Sequence, residues 1–204
     1  MTASPDPRRL AGAGFDAQRA FLIDAVLAEP GARAVLSRTA KLVMPDWALM
    51  AGAIYKPVWN ALTGRDPAFG INDYDLAYCD PDDLSWEAED VWIKRGEAVF
   101  AGFPREVEIR NQARVPIWFS RKFGADRPPI RSTQDAVSQF ASKSHAIALR
   151  LDADGQPELI APYGLDELFS GTIRPLPGIA DPAGWNRKCA ENSLNWPEIV
   201  FEEI

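Results

Sequence analysis

Residues 50–75, Met-Ala-Gly-Ala-Ile-Tyr-Lys-Pro-Val-Trp-Asn-Ala-Leu-Thr-Gly-Arg-Asp-Pro-Ala-Phe-Gly-Ile-Asn-Asp-Tyr-Asp, decide how the rest of the chain is read. Gly52-Ala53 opens a helix that reaches about Leu62 and closes at Gly64. Pro57 is tolerated near its start, where backbone N–H groups lack helical partners. A turn-rich linker then leads into Asp73-Tyr74-Asp75, the start of a strand that alternates as far as Tyr78. Residues two apart on a strand share a face, so Asp73 and Asp75 present their carboxylates side by side. Two like charges so close are costly unless a cation lies between them. Hard oxygen donors suit magnesium or manganese. A helix N-terminus with free N–H groups suits a phosphate chain. An EF-hand is the competing metal motif, and it fails: counted from Asp73, the glycine of its sixth position would have to stand at Tyr78.

An apolar residue, a small pair, a helix and then Asp-apolar-Asp-apolar resembles the polymerase-β-like nucleotidyltransferase superfamily. The matching residues are Ala51-Gly52-Ala53 and Asp73-Tyr74-Asp75-Leu76. The chain looks more narrowly like a family of bacterial nucleotidyltransferase-like proteins of about this length. Gly52-Ala-Ile-Tyr55, Ile71-Asn-Asp-Tyr-Asp75 and Val107-Glu-Ile-Arg-Asn-Gln-Ala-Arg-Val115 carry that likeness. So do Ala161-Pro-Tyr-Gly-Leu-Asp-Glu-Leu-Phe169 and Ile173-Arg-Pro175, and together these segments span roughly residues 15 to 196. The resemblance implies a nucleotidyltransferase fold, with a small mixed β-sheet and helices packed on it. It also implies a third carboxylate on a neighbouring strand. In Glu106-Val-Glu-Ile-Arg110, the glutamates and Arg110 fall on one face and Val107 and Ile109 on the other; the likeness selects Glu108.

Composition sets the outer bounds. With 204 residues, 47% hydrophobic and 25% charged, one α/β (α+β) domain with a sizeable core is expected. Residues 1–14 form an expected flexible arm, and residues 15–204 the domain. Its core lies at about 45–125, and a cleft-forming part follows at about 126–204. Net charge is −7 and the pI near 4.8, which disfavours bulk binding to nucleic acid or an anionic membrane. The amino terminus shows no signal-peptide pattern and no run approaches ~18 apolar residues, so the cytoplasm is expected. Cys79 and Cys189 have no metal-ligand spacing and are read as free thiols, and His145 as a loop or strand-edge residue.

Outside the central stretch, helices are expected over Phe15–Glu29 and about Ala32–Val43, the second with Val35, Leu36, Leu42 and Val43 inward. Trp47–Met50 reads as a short strand. A helix over about Ser85–Phe100, entered through Asp80, Asp82 and Asp83, has Ala88, Val91, Trp92 and Val99 as its apolar stripe. Thr133 caps a helix to about Ala141. Ala146–Leu151 and Gln156–Ile160 make a hairpin across Asp152-Ala-Asp-Gly155. Gly164–Phe169 reads as a short helix, and about Ala183–Asn195 as the last one. The tryptophans are expected mostly in the core, with Trp59 and Trp118 expected near the site.

The resemblance implies that Asp73, Asp75 and Glu108 hold magnesium or manganese on a triphosphate. It implies transfer of a nucleoside monophosphate from an NTP to a small-molecule or protein acceptor, with release of pyrophosphate. Gly52 and Ala53 would meet the phosphates, while Arg110, Arg114, Arg121, Lys122 and Arg131 are candidates to counter their charge. Ala53 departs from the Ser or Gly usual there, which removes a hydroxyl contact and keeps the backbone N–H. A catalytically weak nucleotide- or partner-binding relative is therefore one alternative. An unrelated α/β domain with a fortuitous acid cluster is another.

Overall fold

The computed structural model describes residues 6–204; the first five residues of the expected arm lie outside them. Residues 6–13 turn back on the protein: the Asp6 N–H donates to the Leu62 carbonyl, and Leu10 packs against the main core. Two helices follow, α1 (Phe15–Ala28) and α2 (Pro30–Thr39). Glu29, between them, is 1% exposed, and its carboxylate accepts the N–H groups of Gly31 and Ala32. It thereby supplies the cap of α2 and leaves Pro30 in the first turn, where a missing N–H costs nothing.

A five-stranded mixed sheet has the order β3-β2-β1-β4-β5. Its strands are β1 (Ala48–Met50), β2 (Asp73–Tyr78), β3 (Glu106–Asn111), β4 (Ala148–Leu151) and β5 (Pro157–Ile160). β2 and β3 run parallel through the crossover helix α4 (Trp86–Val99), and the other neighbours are antiparallel. Alternation on β2 sorts the two faces. Tyr74, Leu76 and Tyr78 enter the main core with α1, α2, α3 (Gly52–Thr63) and Ile109 of β3. Ala77 joins Ala48, Met50, Ala148 and Ile160 on the opposite face. Helix α6 (Thr133–Ser138) covers that second face through Val137, so the side chains of Asp73 and Asp75 emerge at its rim.

The carboxyl-terminal part adds α7 (Pro182–Asn195) and a parallel pair, β6 (Thr172–Ile173) and β7 (Val200–Phe201). Trp185, Cys189, Trp196, Ile199 and Phe201 belong to the same buried cluster as α1 and α3. Both cysteines are buried free thiols. Among the described residues, no helix is long and apolar enough to cross a membrane.

Several expectations are corrected. Helix α2 stops at Thr39, and Val43, expected inward, has φ 53° and is 85% exposed, turning the chain before Met44-Pro45. Val91 is 47% exposed on α4; the inward face instead carries Glu89, whose carboxylate accepts the Asn111 N–H at 2.9 Å. Ser132 caps α6, and Thr133 donates from its N–H and hydroxyl to Asp46. The expected helix at 164–169 is a series of turns. Residues 112–123, given no element from sequence, form a 3₁₀ turn (Gln112–Arg114) and helix α5 (Val115–Phe123). His145 lies in a turn as expected but is 4% exposed, packed 4.4 Å from the Tyr55 ring and 5.7 Å from Trp185.

Candidate active site

Between β1 and α3 the chain makes a tight corner. Ala51 has φ 58° and ψ −137°, a conformation that costs a residue bearing a Cβ on the order of 1–3 kcal/mol. Its carbonyl accepts the N–H groups of Ile54 and Tyr55, while no side chain caps the helix. A Cβ on Gly52 would come within 3.1 Å of the Lys56 side chain, one turn further along. The Lys56 ammonium donates to the Gly70 carbonyl at 2.7 Å. Gly70 has φ 71°, and a Cβ there would stand 2.7 Å from the Trp196 ring. The Trp196 indole N–H donates to Asn60 Oδ1, and Asn60 Nδ2 donates to the carbonyls of Pro67 and Phe69. The linker that delivers Asp73 is therefore fastened to α3 and to the end of α7.

On the sheet, Asp75 lies directly across from Glu108 in the parallel register, and Asp73 across from Glu106. Asp73 is exposed; Asp75 and Glu108 are half-buried. Burial, then the nearby charges of Asp73 and Glu108, push the Asp75 carboxyl up to about 6, against the opposing pull of Lys188 and Lys56. Arg110 Nη2 pairs with Glu108 Oε1 at 2.7 Å. That pair is well solvated and so contributes little, leaving Glu108 available to a stronger cation.

Glu108 also borders a cleft of about 1380 Å³ that runs from Ala51 and Tyr55 to α5, the 138–145 turn and the start of α7. Glu106 is not among its lining residues. Trp118 is 45% exposed at the cleft wall, with the Lys122 ammonium 5.6 Å from its ring. The Arg127 guanidinium stacks 4.0 Å over Phe119. Trp59, by contrast, is wholly buried against Trp196 and Phe201 and belongs to the core.

The structure brings Gly52, Ala53, Asp73 and Asp75 to one end of the sheet, sets Glu108 in register with Asp75, and places Arg110 further along β3, in register with Ala77 and paired to Glu108; it treats the remaining basic candidates differently. Arg114 lines the cleft, but its guanidinium is engaged by the buried Glu89 carboxylate. Lys122 lines the cleft, whereas Arg121 and Arg131 are not among its lining residues. The sequence reading gave no place to Lys56 or Lys188, both of which lie near enough to Asp73 and Asp75 to feel their charge. Lys56 carried a signal, since four residues after Gly52 place it on the same helix face. Lys188 carried none, because only the docking of α7 brings it near.

The donor set suits a hard divalent ion: Asp73 and Asp75 lie two apart on one face, Glu108 lies in register, and burial, then the neighbouring carboxylates, already raise the Asp75 proton affinity. Among the described residues, no three His, Cys, Asp or Glu side chains are drawn together as a finished cage. Comparison with known proteins decides the family. A family model described as nucleotidyltransferase matches residues 37–201. The chain belongs to this nucleotidyltransferase family. It is a nucleotidyltransferase, and the match takes in every element from β1 to β7. A solved structure described as revealing a CCA-adding enzyme head domain is similar, with a TM-score of 0.71 and 25% identity. The alignment covers 91% of this nucleotidyltransferase and 96% of that chain. No functionally curated protein matches.

Proposed function

We propose that this nucleotidyltransferase is metal-dependent and moves a nucleoside monophosphate from an NTP to an acceptor hydroxyl on a small molecule or a protein. The observation that carries this reading is the in-register pair of Asp75 and Glu108, with Asp73 two residues before Asp75 on the same strand face and Glu108 lining the cleft. Asp73, Asp75 and Glu108 would hold magnesium or manganese, which would neutralise the triphosphate and the charge that develops during displacement. The N–H groups of Gly52 and Ala53 would donate to phosphate oxygens at the N-terminus of α3. Glu108 takes the proton of the acceptor hydroxyl. The acceptor oxygen bonds to the α-phosphorus as the α–β bridge breaks, and pyrophosphate leaves. Arg110 stays beside Glu108 and offsets its charge.

Ala53 supports a second reading, a catalytically weak relative that retains nucleotide binding through the backbone. Pyrophosphate release from each NTP with manganese, in wild type and in Asp73→Asn and Asp75→Asn, separates the two. Release that both variants abolish supports transfer. Nucleotide binding without release supports the weak relative. The similar head domain suggests nucleic acid as a further acceptor class to include in the assay, whereas the net charge of −7 favours a smaller acceptor.

A further inference from the structure

The cleft is larger than one substrate requires. At about 1380 Å³ it exceeds the roughly 300–1,000 Å³ of a pocket that encloses one small molecule, which leaves room for an acceptor beside a nucleotide. Strand directions define its two ends. β1 runs antiparallel to β2 with Met50 opposite Asp75, so Gly52 lies toward the Asp73 end. β3 runs parallel to β2 and leaves the sheet at Asn111, opposite Tyr78, into the 3₁₀ turn and α5. Along the strands, Asp75 and Glu108 therefore stand between the N-terminus of α3 and the wall that α5 builds. Only Phe119 of α5 is buried, and Trp118 joins none of the buried apolar clusters of the described residues. A large ring left 45% exposed in a cleft wall is a surface for a flat ligand. Two cations accompany it. The Lys122 ammonium also lies 5.2 Å from the Phe123 ring, and the Phe119 and Phe123 rings are 4.7 Å apart. Lys122 is exposed and needs no counterpart, but the Arg127 guanidinium on Phe119 is half-buried. Among the described residues, neither cation forms an ion pair. Of the lining carboxylates other than Glu108, Glu89 and Asp181 accept backbone N–H groups, and Asp126 is exposed. A half-buried cation without a carboxylate partner points to an anionic group on the ligand.

We propose that α5 and the residues after it form the acceptor seat, and that the acceptor is a small flat aromatic molecule bearing an anionic group and a hydroxyl. This rests on the nucleotide-transfer reading above. The ring lies on Trp118, the anion meets Arg127 and Lys122, and the hydroxyl is directed to Glu108. In-line displacement requires the attacking oxygen to stand opposite the departing pyrophosphate. With pyrophosphate at Gly52, attack comes from the side of the carboxylates on which α5 lies. One rival account is that Trp118 receives the base of the NTP instead. Another is that the two cations only balance Asp126, which predicts no preference among uncharged and charged ligands.

Ligand-observed NMR titration of the full chain distinguishes these accounts, with and without magnesium and a non-hydrolysable α,β-methylene NTP. Three probes are compared: 4-hydroxyphenylacetate, the neutral 2-(4-hydroxyphenyl)ethanol and the saturated-ring 4-hydroxycyclohexylacetate. The aromatic acid is expected to bind about threefold or more tighter than either of the others, and to keep that affinity when the nucleotide is bound. Trp118→Leu is expected to weaken the aromatic acid about fivefold. Arg127→Gln is expected to bring it down to the affinity of the neutral alcohol. Nucleotide affinity is expected to change less than about twofold in either variant, since the base is placed elsewhere. Melting curves confirm folding, and Lys122→Gln repeats the charge test at an exposed side chain. Equal affinity for the three probes, or binding of none, overturns the acceptor seat. Displacement of the aromatic acid by the nucleotide assigns Trp118 to the base and overturns it too. In each of these cases, metal-dependent nucleotide binding that persists leaves the transfer reading intact. Failure of every nucleotide to bind wild type overturns both.

Discussion

Asp75 carries the sharpest electrostatic tension in the protein. Its folded-state pKa is raised to about 6, so the folded protein holds that proton more tightly than the unfolded chain does. Its contribution therefore favours folding at low pH and is lost as pH rises from about 4 to about 6. At neutral pH without metal, Asp75→Asn is expected to stabilise the protein by on the order of 1–2 kcal/mol, or a few degrees in Tm. Melting in the presence of a chelator checks this, and a lowered Tm contradicts it. His145 acts in the opposite sense. Burial, then Lys188 and Lys56, hold its proton affinity well below the usual range. The folded protein keeps it neutral, so its share of stability is complete above about pH 6.5 and falls as acid protonates the unfolded chain. Urea unfolding of His145→Asn is expected to show a shallower loss between pH 7 and 5.5 than wild type, and an unchanged slope contradicts the assignment. The shared face of Asp73 and Asp75 follows from strand alternation, which also left Glu106 and Glu108 on one face; the resemblance chose Glu108, and the register sets it beside Asp75. Lys188 was not legible, since nothing local to α7 reveals what it docks against.

At the scale of elements, α2 and β2 meet without clearance. A Cβ on Gly31 would stand 1.8 Å from the Tyr74 hydroxyl, and Tyr74, flanked by the two aspartates, is fully buried and bonds to Glu29. Gly31→Ala is expected to cost about 1–3 kcal/mol through overpacking, read as a lower denaturation midpoint. An unchanged midpoint contradicts the packing. Glu89 fixes the corner between β3 and α5 by holding the Asn111 N–H and the Arg114 guanidinium. Glu89→Ala leaves both without that carboxylate and is expected to destabilise by about 3 kcal/mol in the same measurement. These tertiary bonds explain where element reading succeeded and failed. β2 has the bounds its alternation gave, and the cores of α3 and α4 follow their apolar spacing. The α4 stripe was misjudged at Val91 because a buried carboxylate, which periodicity treats as polar, occupies the inward face. Residues 164–169 and 112–123 were misread or left open because short segments take their form from what they pack on.

Across the whole molecule, one buried cluster links Leu22 to Phe201, and the cleft draws walls from β3, α5 and α7. The expectation that the carboxyl-terminal third contributes a wall follows from a core motif too small to enclose a substrate. The identity of that wall was hidden, because Trp185, Cys189 and Trp196 face inward only through contacts distant in sequence. Removing residues 182–204 strips those side chains from the core and is expected to abolish cooperative unfolding, measured by circular dichroism on heating; a sharp transition contradicts their role. The central claim concerns the carboxylates, and metal-dependent nucleotide binding tests it most directly. Thermal-shift measurement of the full chain with each NTP, with and without magnesium or manganese, needs no knowledge of the acceptor. The account predicts a rise in Tm that requires metal and triphosphate together and disappears in Asp73→Asn. A rise that persists in that variant, or no rise with any NTP, contradicts it.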